Sequence, residues 1–212
     1  MSINKGRMAR AVGTGLLSPL LTGGVLLLAY ALFGLYPFGE QSIAWCDMNQ
    51  QVIPLMAEFR SVLLGNGSMF LSVGAGGVNF WGIFFFFLAS PFSLLSVCCP
   101  LSGLPWLMNW MVLWKMMVCA GTASLFFRRV SGQQEKVLPA LLGLAYAFSG
   151  YAMFYYQNIV WLDMMALFPL LLLSLLSLEK SRKILPFILA FSGMLAVNYY
   201  LSYMAVIFLL LG

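Results

Sequence analysis

Six acidic and eleven basic side chains carry all the charge in 212 residues, so each one beside or inside an apolar run is a candidate for chemistry. Asp47 lies in Trp45-Cys46-Asp47-Met48-Asn49-Gln50-Gln51, between a long apolar segment and an amphipathic one. A carboxylate at a membrane surface could take a proton from an acceptor hydroxyl or help hold a divalent cation. Asp47 or Asn49 could equally cap the helix that follows. Asp163 closes the polar-aromatic turn Tyr155-Tyr156-Gln157-Asn158-Ile159-Val160-Trp161-Leu162-Asp163. Two carboxylates on one face would suit an acid/base pair or a metal site; the alternative is a belt of Tyr and Trp with a capping aspartate. Lys115 falls near the middle of an apolar run, where a charge costs about 2.5–3.5 kcal/mol on insertion scales and so tends to face a cavity or a partner. That partner could be a lipid phosphate or a buried carboxylate, with snorkelling as the alternative.

Arg60 could grip a phosphate as a bidentate fork, or share a solvated helix face with Glu58. Asn198, Tyr199, Tyr200 and Tyr203 could stack on a sugar ring and bond its hydroxyls, or serve as belt residues. There is no histidine, which removes Ser-His-Asp and Cys-His catalysis and the His-rich zinc sites. Cys46, Cys98, Cys99 and Cys119 have neither metal-type spacing nor the pattern of a disulfide framework.

The elements that must hold these residues follow from composition. The chain is 62% hydrophobic and 8% charged, against roughly 25% charged in a soluble domain. Its uncharged runs exceed the ~20 residues that cross a bilayer, which predicts an all-α, polytopic transmembrane protein with the lipid bilayer as its surroundings and no nucleic-acid partner. Lys5, Arg7 and Arg10 precede the first predicted span, 16–38, which is too long for a signal core and has no small-x-small cleavage site. Residues 1–15 are therefore expected in the cytoplasm and 39–105 outside. In that outer loop Val52, Leu55, Met56, Phe59, Val62 and Leu63 repeat at helical spacing, predicting an amphipathic surface helix with Pro54 near its start and Gly65-Asn66-Gly67-Ser68 at its end. A second glycine turn is expected at Gly74 to Gly77.

Residues 80–99 are long enough to cross, with Pro91 able to break them. If they cross, Arg128, Arg129 and Lys136, and also Lys180, Arg182 and Lys183, lie outside, against the positive-inside rule; if they dip and return, all lie inside. The returning arrangement is the expectation. Residues 106–212 then hold further spans, 106–127, 137–155, 161–178 and 184 to about 199, a break at Asn198-Tyr199-Tyr200, and the start of a sixth. An end inside an apolar run suggests a longer protein.

Taken together, W-C-D-M-N-Q-Q, P-L-M-A-E-F-R-S-V-L-L-G-N-G-S, L-A-S-P-F-S-L-L, W-K-M, L-A-Y-A-F-S-G-Y, N-I-V-W-L-D and N-Y-Y-L-S-Y-M, in this order, resemble the YfhO family of bacterial membrane proteins. The resemblance implies a GT-C-like fold and the N-terminal portion of a GT-C-type glycosyltransferase. Such an enzyme would move a sugar from a polyprenyl-phosphate donor to a cell-wall polymer such as lipoteichoic acid, on the outer face of the cell membrane. It implies Asp47 as the catalytic aspartate of the first outer loop. Arg60, Lys115, Asn158, Asp163, Asn198 and Tyr199 are the candidate substrate-binding residues, and a requirement for a divalent cation stays open. By itself this portion is expected to lack later spans and an outer domain that complete the sites. The rival expectations are a transporter or flippase of lipid-linked saccharides and a non-catalytic membrane subunit.

Overall fold

A computed structural model describes residues 5–74, 76–131 and 137–211, with side chains from Leu16 onward. Lys136, one of the basic loop residues weighed above, lies outside the described residues. Every regular element described is helical, and the one strand-like feature is an isolated bridge between Leu35 and Gln41.

Helix α1 (Lys5–Leu32) is followed, after a long loop, by α2 (Ile53–Leu63) and the single turn α3 (Phe80–Ile83). The remaining helices are α4 (Leu104–Ser131), α5 (Val137–Ala147), α6 (Gly150–Tyr155), α7 (Ile159–Ser181), α8 (Ile184–Val197) and α9 (Tyr199–Leu211). Among the described residues three helical stretches are long and apolar enough to cross a membrane, Leu101–Ser131, Val137–Tyr155 and Ile159–Ser181. Leu16–Leu32, Ile184–Val197 and Tyr199–Leu211 are shorter apolar helices. The chain is an all-α, polytopic membrane protein.

The first helix stops at Leu32, short of the expected 38. Gly34 takes φ +63°, and the Leu35 amide reaches back to the Tyr30 carbonyl at 2.8 Å, the glycine-dependent cap that closes a helix on itself. Gly65 (φ +80°) closes α2 in the same way, with Asn66 N–H bonded to the Ser61 carbonyl at 2.8 Å.

Helix α4 is the centre of the bundle, packed on α1, α5 and α7. Tyr30 donates to the Asn109 carbonyl at 3.0 Å, while a Cβ on Gly23 would lie 3.0 Å from the sulfur of Met117; α1 and α4 are thus antiparallel. Lys115 and Cys119 donate to the carbonyls of Ile159 and Leu162, so α4 and α7 run parallel. Gly143 lets α5 settle against α4 and α1, since a Cβ there would stand 2.5 Å from the Ala120 carbonyl oxygen and 2.6 Å from Ser18 Oγ. Small residues permit such close approach where no hydrophobic effect drives helices together.

Two consequences follow. The N-terminus of α1, with Lys5, Arg7 and Arg10, shares one end of the bundle with Arg128, Arg129, Lys180, Arg182 and Lys183. The loop from residue 33 to 103 begins and ends at the opposite end, stapled there by Ser42 Oγ to the Pro105 carbonyl (2.6 Å) and Trp106 Nε1 to the Glu40 carbonyl (3.1 Å).

Within that loop, Phe80–Leu88 and Pro91–Cys98 form two helical limbs bent by 103°. The break falls at Ala89-Ser90, and Pro91 opens the second limb, where its missing N–H costs nothing. Ser90 meets Lys115, eleven residues into α4, so the elbow sinks about 16 Å into the bundle at 1.5 Å per residue. At the far side, the break between α8 and α9 falls at Asn198, as the polar Asn-Tyr-Tyr step predicts.

Candidate functional site

The segment carrying Asp47 turns sharply at Cys46, whose φ of +46° is uncommon for any residue with a side chain. Asp47 already has helical backbone angles and its side chain makes no capping bond, so its reading as a helix cap is corrected. A wide π-type turn, Met48–Val52, then runs into α2, with Pro54 in the first turn of that helix. Met48, Val52, Leu55, Met56 and Phe59 form the buried face, and the Phe59 ring packs on Phe80 and Phe84 of the first limb.

Asp47, Gln51, Pro54 and Glu58 recur at steps of four, three and four, which is one helical stripe. With Gln50, Gly74, Ile83 and Phe87 they line a cavity of about 550 Å³. Asp47 is exposed there, and among the described residues its Oδ1 accepts from the thiol of Cys46 at 3.9 Å. The cavity thus sets a carboxylate and two carboxamides, suited to hydroxyl groups, opposite an apolar wall from the elbow.

Glu58 is half-buried, and both its oxygens accept: from Ser72 Oγ at 2.9 Å and from the Val73 amide at 2.8 Å. The solvated face expected for Glu58 and Arg60 is therefore corrected, because a glycine-rich loop folds back onto it. Hydrogen bonds to a charged group contribute about 1.5–3 kcal/mol. Glu58→Ala is expected to speed hydrogen exchange at the Val73 amide by more than tenfold; unchanged exchange would show that the carboxylate does not hold this loop.

Arg60 Nε donates to the Cys99 carbonyl at 3.0 Å. The residue also lines a second cavity of about 310 Å³ with Ser61, Asn66 and Ser68. Pro54, Glu58 and Gly74 border both cavities, so the two are neighbours across one wall. No bond from the terminal guanidinium nitrogens is seen among the described residues.

Lys115 and Asp163 lie elsewhere. The ammonium is fully buried and donates to Asp163 Oδ2 (2.5 Å), Ser90 Oγ (3.1 Å) and the Ile159 carbonyl (3.0 Å), with the Phe92 ring 5.4 Å away. Three donors meet three acceptors. Of the two partners weighed for Lys115, the carboxylate is the one present. Asp163 sits in the second turn of α7, so the pairing of two carboxylates on one face joins Asp47 to Glu58 rather than to Asp163.

Asn158 is buried at the start of α7, its carbonyl accepting from Trp161 N–H at 2.8 Å. Asn198 is fully buried; its Nδ2 donates to the Phe86 carbonyl at 2.8 Å and its Oδ1 accepts from Leu201 N–H at 2.9 Å. Tyr199 is exposed, with its ring 5.9 Å from that of Phe86. None of these three lines the Asp47 cavity. Sequence reasoning missed Gln50, Gln51 and Glu58 as its polar lining, although the 47-51-54-58 spacing could have found Gln51 and Glu58.

Among the described residues no three His, Cys, Asp or Glu side chains gather to hold a metal ion.

Compared with models of known families, residues 20–211 match the one described as bacterial membrane protein YfhO. No curated protein and no solved structure matches the chain.

Proposed function

The chain belongs to the YfhO family of bacterial membrane proteins, and on that premise we propose that it carries the catalytic end of a GT-C-type glycosyltransferase. The reaction is inverting transfer of a sugar from a polyprenyl-phosphate carrier to a hydroxyl of a cell-wall polymer such as lipoteichoic acid. Asp47 accepts the proton of the acceptor hydroxyl as its oxygen bonds to the anomeric carbon; the bond from that carbon to the carrier phosphate breaks, and the phosphate leaves with the electron pair. A carboxylate in reach of the reacting hydroxyl is the geometry general-base catalysis requires.

The observation that carries this reading is the exposed, uncapped carboxylate of Asp47 on a cavity lined by Gln50 and Gln51. Arg60, in the adjoining cavity, suits the developing charge on the leaving phosphate. Lys115 does not serve there, since its three donors are already bonded within the bundle. No step is routed through a metal ion.

Sidedness is supported by charge. Lys and Arg favour cytoplasmic ends, and the basic end of the bundle is the one opposite Asp47. The cavity then opens on the outer face of a cell membrane, with the N-terminus inside.

A transporter of lipid-linked saccharides would account for Lys115 and the tyrosines equally well, and here the Lys115 ammonium is taken up by Asp163, Ser90 and Ile159. The experiment is sugar transfer by the protein, expressed from its full reading frame and purified in detergent, with a polyprenyl-phosphate sugar and the wall polymer as substrates. A transferase forms product with no membrane to cross. Absence of product, alongside movement of the lipid-linked sugar in reconstituted vesicles, would favour the transporter.

A further inference from the structure

Three polar side chains hold the elbow formed by Phe80–Leu88 and Pro91–Cys98, and each comes from a different part of the chain. Lys115 of α4 bonds Ser90 Oγ at the bend. Asn198, at the break between α8 and α9, bonds the Phe86 carbonyl on the first limb. Arg60 of α2 bonds the Cys99 carbonyl, where the second limb ends. Phe87 lies between the first two attachment points and, with Ile83, forms the apolar wall of the Asp47 cavity.

Lys115 and Asn198 are fully buried. A buried polar group must find partners in the fold, and each of these two finds one of its partners on the same segment. That segment has reason to need them. Its first limb is wound as a wide π-type turn, Phe84–Leu88, and its second, Pro91–Cys98, as a tight 3₁₀ helix; both are uncommon windings. A 3₁₀ helix eclipses residues three apart, which puts Ser90, Ser93 and Ser96, all buried, on one inner face.

We infer that Lys115 and Asn198 are positioning residues: by holding Ser90 and Phe86 they set the depth of the elbow and so place Phe87 and Ile83 against Asp47. Asp163 serves the same end by fixing the lysine ammonium. Only the catalytic consequence rests on the proposed transfer reaction; the placement of the wall stands apart from it.

The test reads the wall directly. In the protein from its full reading frame, with Cys46, Cys98 and Cys99 replaced by Ser and Cys119 left buried, Phe87→Cys reports the cavity wall by its labelling rate with a membrane-impermeant maleimide. Adding Ser90→Ala removes one attachment and leaves the Lys115–Asp163 pair in place; Asn198→Leu removes the other. Each is expected to change the labelling rate about tenfold, the effect of losing a hydrogen bond that keeps a local opening closed. Ser90→Thr restores a hydroxyl and is expected to keep the rate within about twofold of the parent. Melting temperature, followed in parallel, identifies any variant whose rate reflects general unfolding. Labelling unchanged in both Ser90→Ala and Asn198→Leu, or changed equally by Ser90→Thr, overturns the inference. Sugar transfer measured on the same variants keeps the two claims apart. If the wall moves and transfer persists, the positioning holds and the assignment of transfer to this cavity fails.

Discussion

Lys115→Met is expected to destabilise the protein by about 3–5 kcal/mol, the cost of leaving the partner of a buried ion pair without its counter-charge. The Asp163 carboxylate would keep its place in the second turn of α7 with no cation within reach, and the Ile159 carbonyl and Ser90 hydroxyl would each lose a donor. The pair itself is not expected to add much net stability, because its attraction repays the desolvation of two ions. Lys115→Met together with Asp163→Leu should therefore recover most of the loss. Thermal unfolding in detergent of the parent, the single and the double variant measures this. A single variant as stable as the parent would mean that the ammonium and carboxylate do not depend on each other.

The contrast between single and double variants also separates two roles. For stability, the ion pair is dispensable once both charges go. The bond from Lys115 to Ser90 is not restored by apolar residues, so the double variant should fold and still misplace the elbow. Stability and placement are thus expected to part company in one protein.

The apolar runs were legible because a span needs little more than length and the absence of charge. The breaks were legible where a residue imposes them: Gly65 at the end of α2, Pro54 in its first turn, Asn198 between α8 and α9. Residues 80–99 were not legible from their own composition, which fits a crossing as well as a return; only the basic loops that follow favoured the return. What decides their path is the antiparallel contact of α1 with α4, which brings both ends of the loop to one side and is made by residues as distant as Tyr30 and Asn109. The same distance explains the ionic pair. The central place of Lys115 marked it as needing a partner, but the choice between phosphate and carboxylate waits on the parallel packing of α4 and α7.

At the site itself, Asp47 stood out by its setting, while the alternative of a cap fails because its backbone is already helical and its side chain makes no capping bond. Glu58 read as solvated because its partners, Ser72 and Val73, come from a glycine-rich loop whose course local sequence does not dictate. The stripe it shares with Asp47, Gln51 and Pro54 was nonetheless present in the spacing. Lys115 and Asn198 shared a feature visible from sequence, polarity in apolar surroundings, and with Arg60 they share one in the fold, a bond to the elbow. Polarity of that kind serves a ligand or a buried segment equally well, and only the tertiary contacts tell the two apart.

Asp47→Asn is expected to lower sugar transfer on the order of 10²- to 10⁴-fold, the usual contribution of a positioned general base. The change keeps size and shape, and among the described residues Asp47 makes neither a capping bond nor an ion pair, so stability should not follow activity down. Arg60 and the Gln50–Gln51 carboxamides would still bind substrate, which directs the loss to turnover rather than to binding. The most direct measurement is the sugar content of the wall polymer in cells whose only copy of the protein, expressed from its full reading frame, carries Asp47→Asn. Loss of the sugar with the variant present at parental level in the membrane is the predicted result; glycosylation equal to that of the parent would contradict a catalytic Asp47.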